Sequence, residues 1–173
     1  MEYTFTLRYQ LCGDIGHDEV VELLAEAGCD DALVGVGQPG RIALEFTREA
    51  NSAEAALLSA LADVRKAVPR ARLIEAAPDF VGLTDVAEVA GMTRQNMRKL
   101  MVKHSTSFPA PVHQGSSTVW HLADVLAWLQ ARGIYTLQVE VVEIAITAKQ
   151  VNLATASRQL APRFQRAVRA LIA

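Results

Sequence analysis

The stretch Tyr3–Leu11, YTFTLRYQL, alternates without a slip: Tyr3, Phe5, Leu7, Tyr9 and Leu11 fall on one side, Thr4, Thr6, Arg8 and Gln10 on the other. A period of two marks a strand with one buried face, so the residues that follow must cover that face. They do so at a different period. Val20, Leu23, Leu24 and Ala27 recur at helical spacing behind Asp18, which can cap the helix, and Gly28 stops it. DALVGVGQPGRIALEFTR then reads as two strands about the turn Gly37-Gln38-Pro39-Gly40. Asn51 and Glu54 have capping-box spacing for a helix carrying Leu57, Leu58, Leu61 and Val64 and ending near Pro69. RARLIEA offers a last short strand. The order over residues 1–78 predicts a ferredoxin-like βαββαβ unit. That fold hosts metal binding, RNA binding, small-molecule sensing and plain dimerisation, so it names no function. RNA recognition needs aromatics on an open sheet face, and RIALEFTR offers only Phe46, which shares its side with Ile42 and Leu44 and is expected in the core.

Charge divides the chain. Residues 1–78 hold 13 acids against 7 bases, residues 79–133 hold 4 against 5, and residues 134–173 hold 2 against 5. The first segment is poorly suited to a polyanion, whereas the second and third can approach one. Cys12 and Cys29, at the ends of a predicted strand and helix, are expected to be buried structural thiols, because Asp14, Asp30 and Asp31 nearby oppose thiolate formation. His17 precedes Asp18 and Glu19, with no second histidine near enough to suggest a metal site. The N-terminal stretch lacks the basic and apolar regions of a signal peptide, and no apolar run reaches 18 residues, so a cytoplasmic location and no membrane span are expected.

The segment LTDVAEVAGMTRQNMRKLMV holds two short amphipathic runs that meet at Gly91. Thr84 can cap the first, Asp85–Ala90, with Val86, Ala87, Val89 and Ala90 facing a partner; Thr93 can cap the second, with Met97, Leu100 and Met101 inward. Ala87, Gly91 and Met97 have the spacing of a helix-turn-helix: a small residue at the crossing, a turn glycine and an apolar anchor. Arg94, Gln95, Arg98 and Lys99 are then outward, with Arg94 and Gln95 in the first turn, where a recognition helix presents side chains to base edges. SFPAPVHQGSSTVW adds a hairpin, or wing, about Gly115-Ser116-Ser117. HLADVLAWLQARG adds a third helix with Leu122, Val125, Leu126 and Leu129 inward and Gly133 as its stop. Trp120 and Trp128 are expected to pin the wing to that helix.

These residues, over about 82–133, resemble the AlpA-like and excisionase-like branch of the MerR-type winged helix-turn-helix proteins. The shared marks are the Val-Ala opening of the helix-turn-helix, FPAPV, the Trp before the last helix, and DVLAWL. The resemblance implies that the second helix enters the major groove and that the wing meets the neighbouring backbone or minor groove. It makes Thr93, Arg94, Gln95, Asn96, Arg98, Lys99, His113, Gln114 and Ser116 the candidate DNA contacts.

In residues 134–173, Leu137, Val141, Ile144, Ala148 and Val151 recur at helical spacing, although Val139, Val141 and Val142 favour a strand by propensity. One long helix is expected, with a blurred start. Pro162 begins a last helix with Phe164, Val168, Leu171 and Ile172 apolar and Arg163, Arg166 and Arg169 outward. Such a stripe after a DNA-binding module serves dimerisation or packs back onto the N-terminal sheet. The sequence thus reads as an α+β chain: a ferredoxin-like unit (1–78), a winged helix-turn-helix (79–133) and a helical dimerisation tail (134–173). The expected function is that of a dimeric, sequence-specific transcription regulator bound to double-stranded DNA. It is expected to be no enzyme and to need no cofactor, and the acidic first segment is the candidate seat of an effector or protein partner. Two other readings stand beside this one: an excisionase-like DNA-bending factor for recombination, and a protein-interaction or ligand-sensing adaptor, such as an antitoxin, that binds no DNA.

Overall fold

The computed structural model describes residues 1–13, 15–35, 37–133 and 135–172. Asp14, invoked above beside the cysteines, and Ile134, where the tail was drawn to begin, lie outside them. The first six elements are β1 (Glu2–Gln10), α1 (His17–Ala27), β2 (Ala32–Gly35), β3 (Arg41–Glu49), α2 (Ala53–Ala67) and β4 (Arg72–Ala77). The strands form one sheet in the order β2-β3-β1-β4, each neighbouring pair antiparallel. Register sets Phe5 opposite Phe46 and Leu7 opposite Leu44, and the two phenyl rings stack at 5.3 Å. A one-residue slip would turn every one of these side chains to water. The core joins them to Val20 and Leu24 of α1 and to Leu57 and Val64 of α2. Ala53, Ala56 and Ala60 keep the buried side of α2 small. The opposite sheet face is mainly polar, with Thr4, Arg8, Glu45 and Thr47 exposed and Leu33 beside Glu45.

One cation breaks the apolar pattern. Arg48 is buried on the core side of β3, where its Nε and Nη2 donate to the two oxygens of Asp31 (2.7 and 2.9 Å) and Nη1 donates to Asp63 Oδ2 (2.8 Å). Its remaining bonds go to Ser59 Oγ and the Gly28 carbonyl, so the planar fork is almost fully met. The bonds to Asp31 hold its pKa well above the ordinary arginine value despite burial.

Several helix starts differ from those read in the sequence. Gly16, not Asp18, is the N-cap of α1, and Asp18 and Glu19 fall in its first turn, where carboxylates favour the helix dipole. Ser52, not Asn51, caps α2, accepting the Ala55 N–H at 3.1 Å. Leu58 is exposed on α2. Cys29 is buried as expected, but Cys12 is exposed, because it follows Leu11, the last core-facing residue after β1.

The second set comprises β5 (Phe80–Val81), α3 (Leu83–Val89), α4 (Arg94–Lys103), β6 (His113–Gln114), β7 (Thr118–His121) and α5 (Leu122–Ala131). β6 and β7 are the expected hairpin. β5, not foreseen, pairs with the other side of β7, with Phe80 opposite His121 and Val81 opposite Trp120. Two residues are too few for a periodic signal. Thr84 does not cap α3, which begins at Leu83 behind Gly82, whose N–H donates to Asp85 Oδ2 at 2.8 Å. Val86, Ala87, Met97, Trp120, Leu122, Val125, Leu126 and Leu129 form a second core, whereas Val89 points to solvent.

α6 (Val139–Ser157) is one helix, and α7 (Pro162–Arg169) follows with Pro162 at its start. Packing overrides the strand propensity of Val141 and Val142, both of which lie against the second core. Ile144 and Ala148 enter the first core while Ala145 enters the second, so the apolar stripe of α6 joins the two halves of its own chain. A hydrogen-bond relay parallels that contact. Asn152 Oδ1 accepts the Ala76 N–H and its Nδ2 donates to the Ala76 carbonyl, both at 2.8 Å, on the free edge of β4. Nδ2 also donates to Asp79 Oδ2, and Asp79 Oδ1 meets His121 Nδ1 at 2.6 Å. All three side chains are buried.

Candidate nucleic-acid interface

Gly91 adopts φ +64°, the left-handed conformation that allows an abrupt turn between α3 and α4. The turn is closed by the Met92 N–H donating to the Ala87 carbonyl at 2.9 Å. Thr93 caps α4 as expected, its Oγ1 accepting the Asn96 N–H at 3.2 Å. Met97 is fully buried beside Val86 and Ala87 in the second core, while Leu100 and Met101 are half-buried. This anchoring fixes the outer side of the helix. Arg94, Gln95, Asn96, Arg98 and Lys99 are all exposed there. Lys103, four residues beyond Lys99 and also exposed, belongs to the same cationic run; helical spacing alone would have found it.

The electrostatics of α4 are one-sided. The helix carries four cations and no acid. Among the described residues none of the four forms an ion pair, whereas Arg8, Arg48 and Lys149 each meet a carboxylate. Arg94 opens the helix at its positive end, with no acidic side chain in the first turn. That placement opposes the helix dipole, and an external anion relieves it.

The hairpin residues His113, Gln114 and Ser116 are also exposed. The hairpin closes through the Gly115 N–H donating to the Ser117 carbonyl at 3.2 Å. The His113 ring lies so close over Gly115 that an added Cβ would come within 2.7 Å of Nε2.

An aromatic cluster holds the segment between α4 and the hairpin. Phe108 meets Trp120 and Trp128 edge-on, at 6.1 and 5.0 Å, and Trp120 Nε1 donates to the Pro109 carbonyl. The two tryptophans thus link the β6–β7 hairpin to α5 through Phe108. Beside them Arg132 lies over the Trp128 ring at 4.7 Å and donates from Nη2 to His104 Nε2 at 2.9 Å. His104 ends α4. Its pKa is lowered from the ordinary value, first by desolvation and then by the charges of Arg132 and Lys103. A hollow of about 360 Å³ beside α4 is lined by Met92, Asn96, Lys99, Leu100, Lys103 and Tyr135, so Asn96 and Lys99 border it as well as the solvent face.

Five candidate side chains therefore share one exposed helix, three lie on the hairpin, and Thr93 serves the helix itself as its cap. No family model, no curated protein and no solved structure matches the chain.

Proposed function

We propose that this chain is a DNA-binding transcription regulator that acts as a dimer, with α4 as its major-groove helix and the β6–β7 hairpin as its wing. The observation that carries the reading is the uncompensated charge of α4. Four cations without an acidic partner, one of them against the positive end of the helix dipole, suit a polyanion. The order β5, helix, turn at Gly91, helix, hairpin, helix supports reading residues 79–133 as a winged helix-turn-helix. The sheet order β2-β3-β1-β4 supports reading the first unit as ferredoxin-like. Its sheet aromatics, Tyr3, Phe5, Tyr9 and Phe46, are all buried, which speaks against RNA binding by stacking on the sheet.

In this reading Arg94, Gln95, Asn96 and Arg98 meet base edges, Lys99 and Lys103 meet phosphates, and His113, Gln114 and Ser116 fix the register. The dimer follows from the twofold symmetry that operators and such regulators share. Among the described residues no helix is long and apolar enough to cross a membrane; a cytoplasmic location accompanies the DNA-bound function.

Amide shift mapping with a short duplex tests the assignment. The expected result is salt-dependent perturbation concentrated on residues 93–103 and 113–117. Perturbation confined to the first unit, or none at low salt, overturns it.

A further inference from the structure

The C-terminal helix α7 stands outside both cores, and none of its residues is buried. Its side chains are nevertheless sorted. Phe164 and Val168, with Leu171 and Ile172 just beyond its end, follow helical spacing on one side, and Arg163, Arg166 and Arg169 lie on the other. Phe164 is 59% exposed, Leu171 85% and Ile172 74%. A contiguous apolar stripe of this kind marks an interaction surface.

The first unit carries a matching feature. A hollow of about 280 Å³ opens at the end of β1, lined chiefly by apolar side chains, among them Leu11, Ile15, Leu23 and Val68, with Cys12 and Arg70 also in its wall. No residue of α7 lines this hollow within its own chain. Leu23 reaches it from α1, and the exposed Glu19 and Glu26 sit one turn to either side of Leu23. The charges are complementary: residues 1–78 hold 13 acids against 7 bases, and residues 134–173 hold 2 against 5.

The course of α6 brings the arm near. Its Glu143 accepts the Tyr3 hydroxyl proton at 2.6 Å, and nine residues on its Asn152 grips Ala76, which pairs with Leu7. The helix therefore runs along β1 towards Leu11, the end of the unit at which the hollow lies.

We propose that α7 of one copy docks across this hollow on a second copy. Its apolar stripe covers Leu11, Ile15, Leu23 and Val68, and its arginines face the acidic side of α1. Reciprocal exchange of the two arms closes a twofold dimer and hides both stripes. The inference rests on the dimer named above and not on DNA.

Cys12 supplies the test, because it is exposed at the hollow while Cys29 is buried. In Ala167→Cys, mild oxidation with oxidised glutathione is expected to give a disulfide-linked dimer on a non-reducing gel, abolished by adding Cys12→Ser. A disulfide within a single chain, or none, overturns the proposal. A second variant, Phe164→Glu with Leu171→Glu, leaves both cores untouched and is expected to weaken dimerisation in sedimentation by about a hundredfold. Unchanged dimerisation overturns the proposal, as does a monomer whose α7 binds anionic vesicles instead. Loss of duplex binding with the cross-link intact would count against the DNA reading alone.

Discussion

Asn152 clasps the peptide of Ala76 from outside the sheet, its side-chain amide meeting both the N–H and the carbonyl at 2.8 Å. An amide on α6 thus occupies the place of a neighbouring strand on the edge of β4 and covers two polar groups that would otherwise be exposed to further pairing. Through Asp79 the same side chain reaches His121, at the end of β7, so one residue ties the four-stranded sheet to the second set of elements.

Asn152→Ala leaves the Ala76 peptide and Asp79 Oδ2 without this partner inside the protein. The expected loss is about 2–4 kcal/mol in urea unfolding, from buried polar groups left unmet. Asn152→Leu is expected to cost at least as much, since it also blocks water from the site. A change below about 0.5 kcal/mol in both would show that the clasp is incidental.

The two thiols are expected to differ in reactivity. Burial pushes the Cys29 thiol up to about 11, and Asp63 adds to the effect, whereas Cys12 is exposed. With an aromatic disulfide reagent at pH 8, one thiol should react within the mixing time and the second only as the protein unfolds. Two rapid equivalents in the native protein would contradict the burial of Cys29.

His104 predicts a pH dependence. Its folded-state pKa lies below the ordinary 6.5 because it is desolvated and faces Arg132 and Lys103. Between the two values the unfolded chain binds a proton that the folded chain does not, so stability falls as pH drops through this window. His104→Asn keeps an acceptor for Arg132 without the titration and is expected to flatten that part of the curve. Urea midpoints of both proteins between pH 7.5 and 5 decide; parallel curves would remove His104 from the account.

Much of this was legible in the sequence because alternation and helical spacing report burial directly. Phe5, Leu7, Val86, Met97 and Leu126 were placed inward by period alone, and all five are buried. Thr93 is the cap its position suggests, but Gly16, Ser52 and Gly82 take the places that Asp18, Asn51 and Thr84 suggest, since several residues near a helix start compete for that role. The partners of Arg48 and the relay from Ala76 to His121 leave no periodic trace. Each joins residues far apart in sequence, and a lone buried polar residue looks like a surface one until its partners are known. The apolar stripe of α6 was visible, but whether it met another molecule or its own sheet depended on tertiary packing. In the candidate interface, Arg94, Gln95, Arg98 and Lys99 follow from spacing, and Lys103 lies on the same helical repeat; the support of Arg132 beneath the loop does not follow from it.

On α4 the cations are expected to divide by role. Arg94→Ala should cost about 1–3 kcal/mol on the preferred duplex and relax discrimination between sequences, whereas Lys99→Ala should weaken all duplexes alike and lower the salt slope by about 1. Fluorescence anisotropy on preferred and scrambled duplexes at several salt concentrations separates the two. Equal losses on both duplexes for both variants would show that the division is wrong.

The most direct test is binding of the purified protein to fragmented genomic duplex DNA at several salt concentrations, with sequencing of what is retained. The expected result is enrichment of a few twofold-symmetric sites with affinity that falls steeply as salt rises. No retention even at low salt would contradict the central claim and leave the exposed cations of α4 to a protein partner.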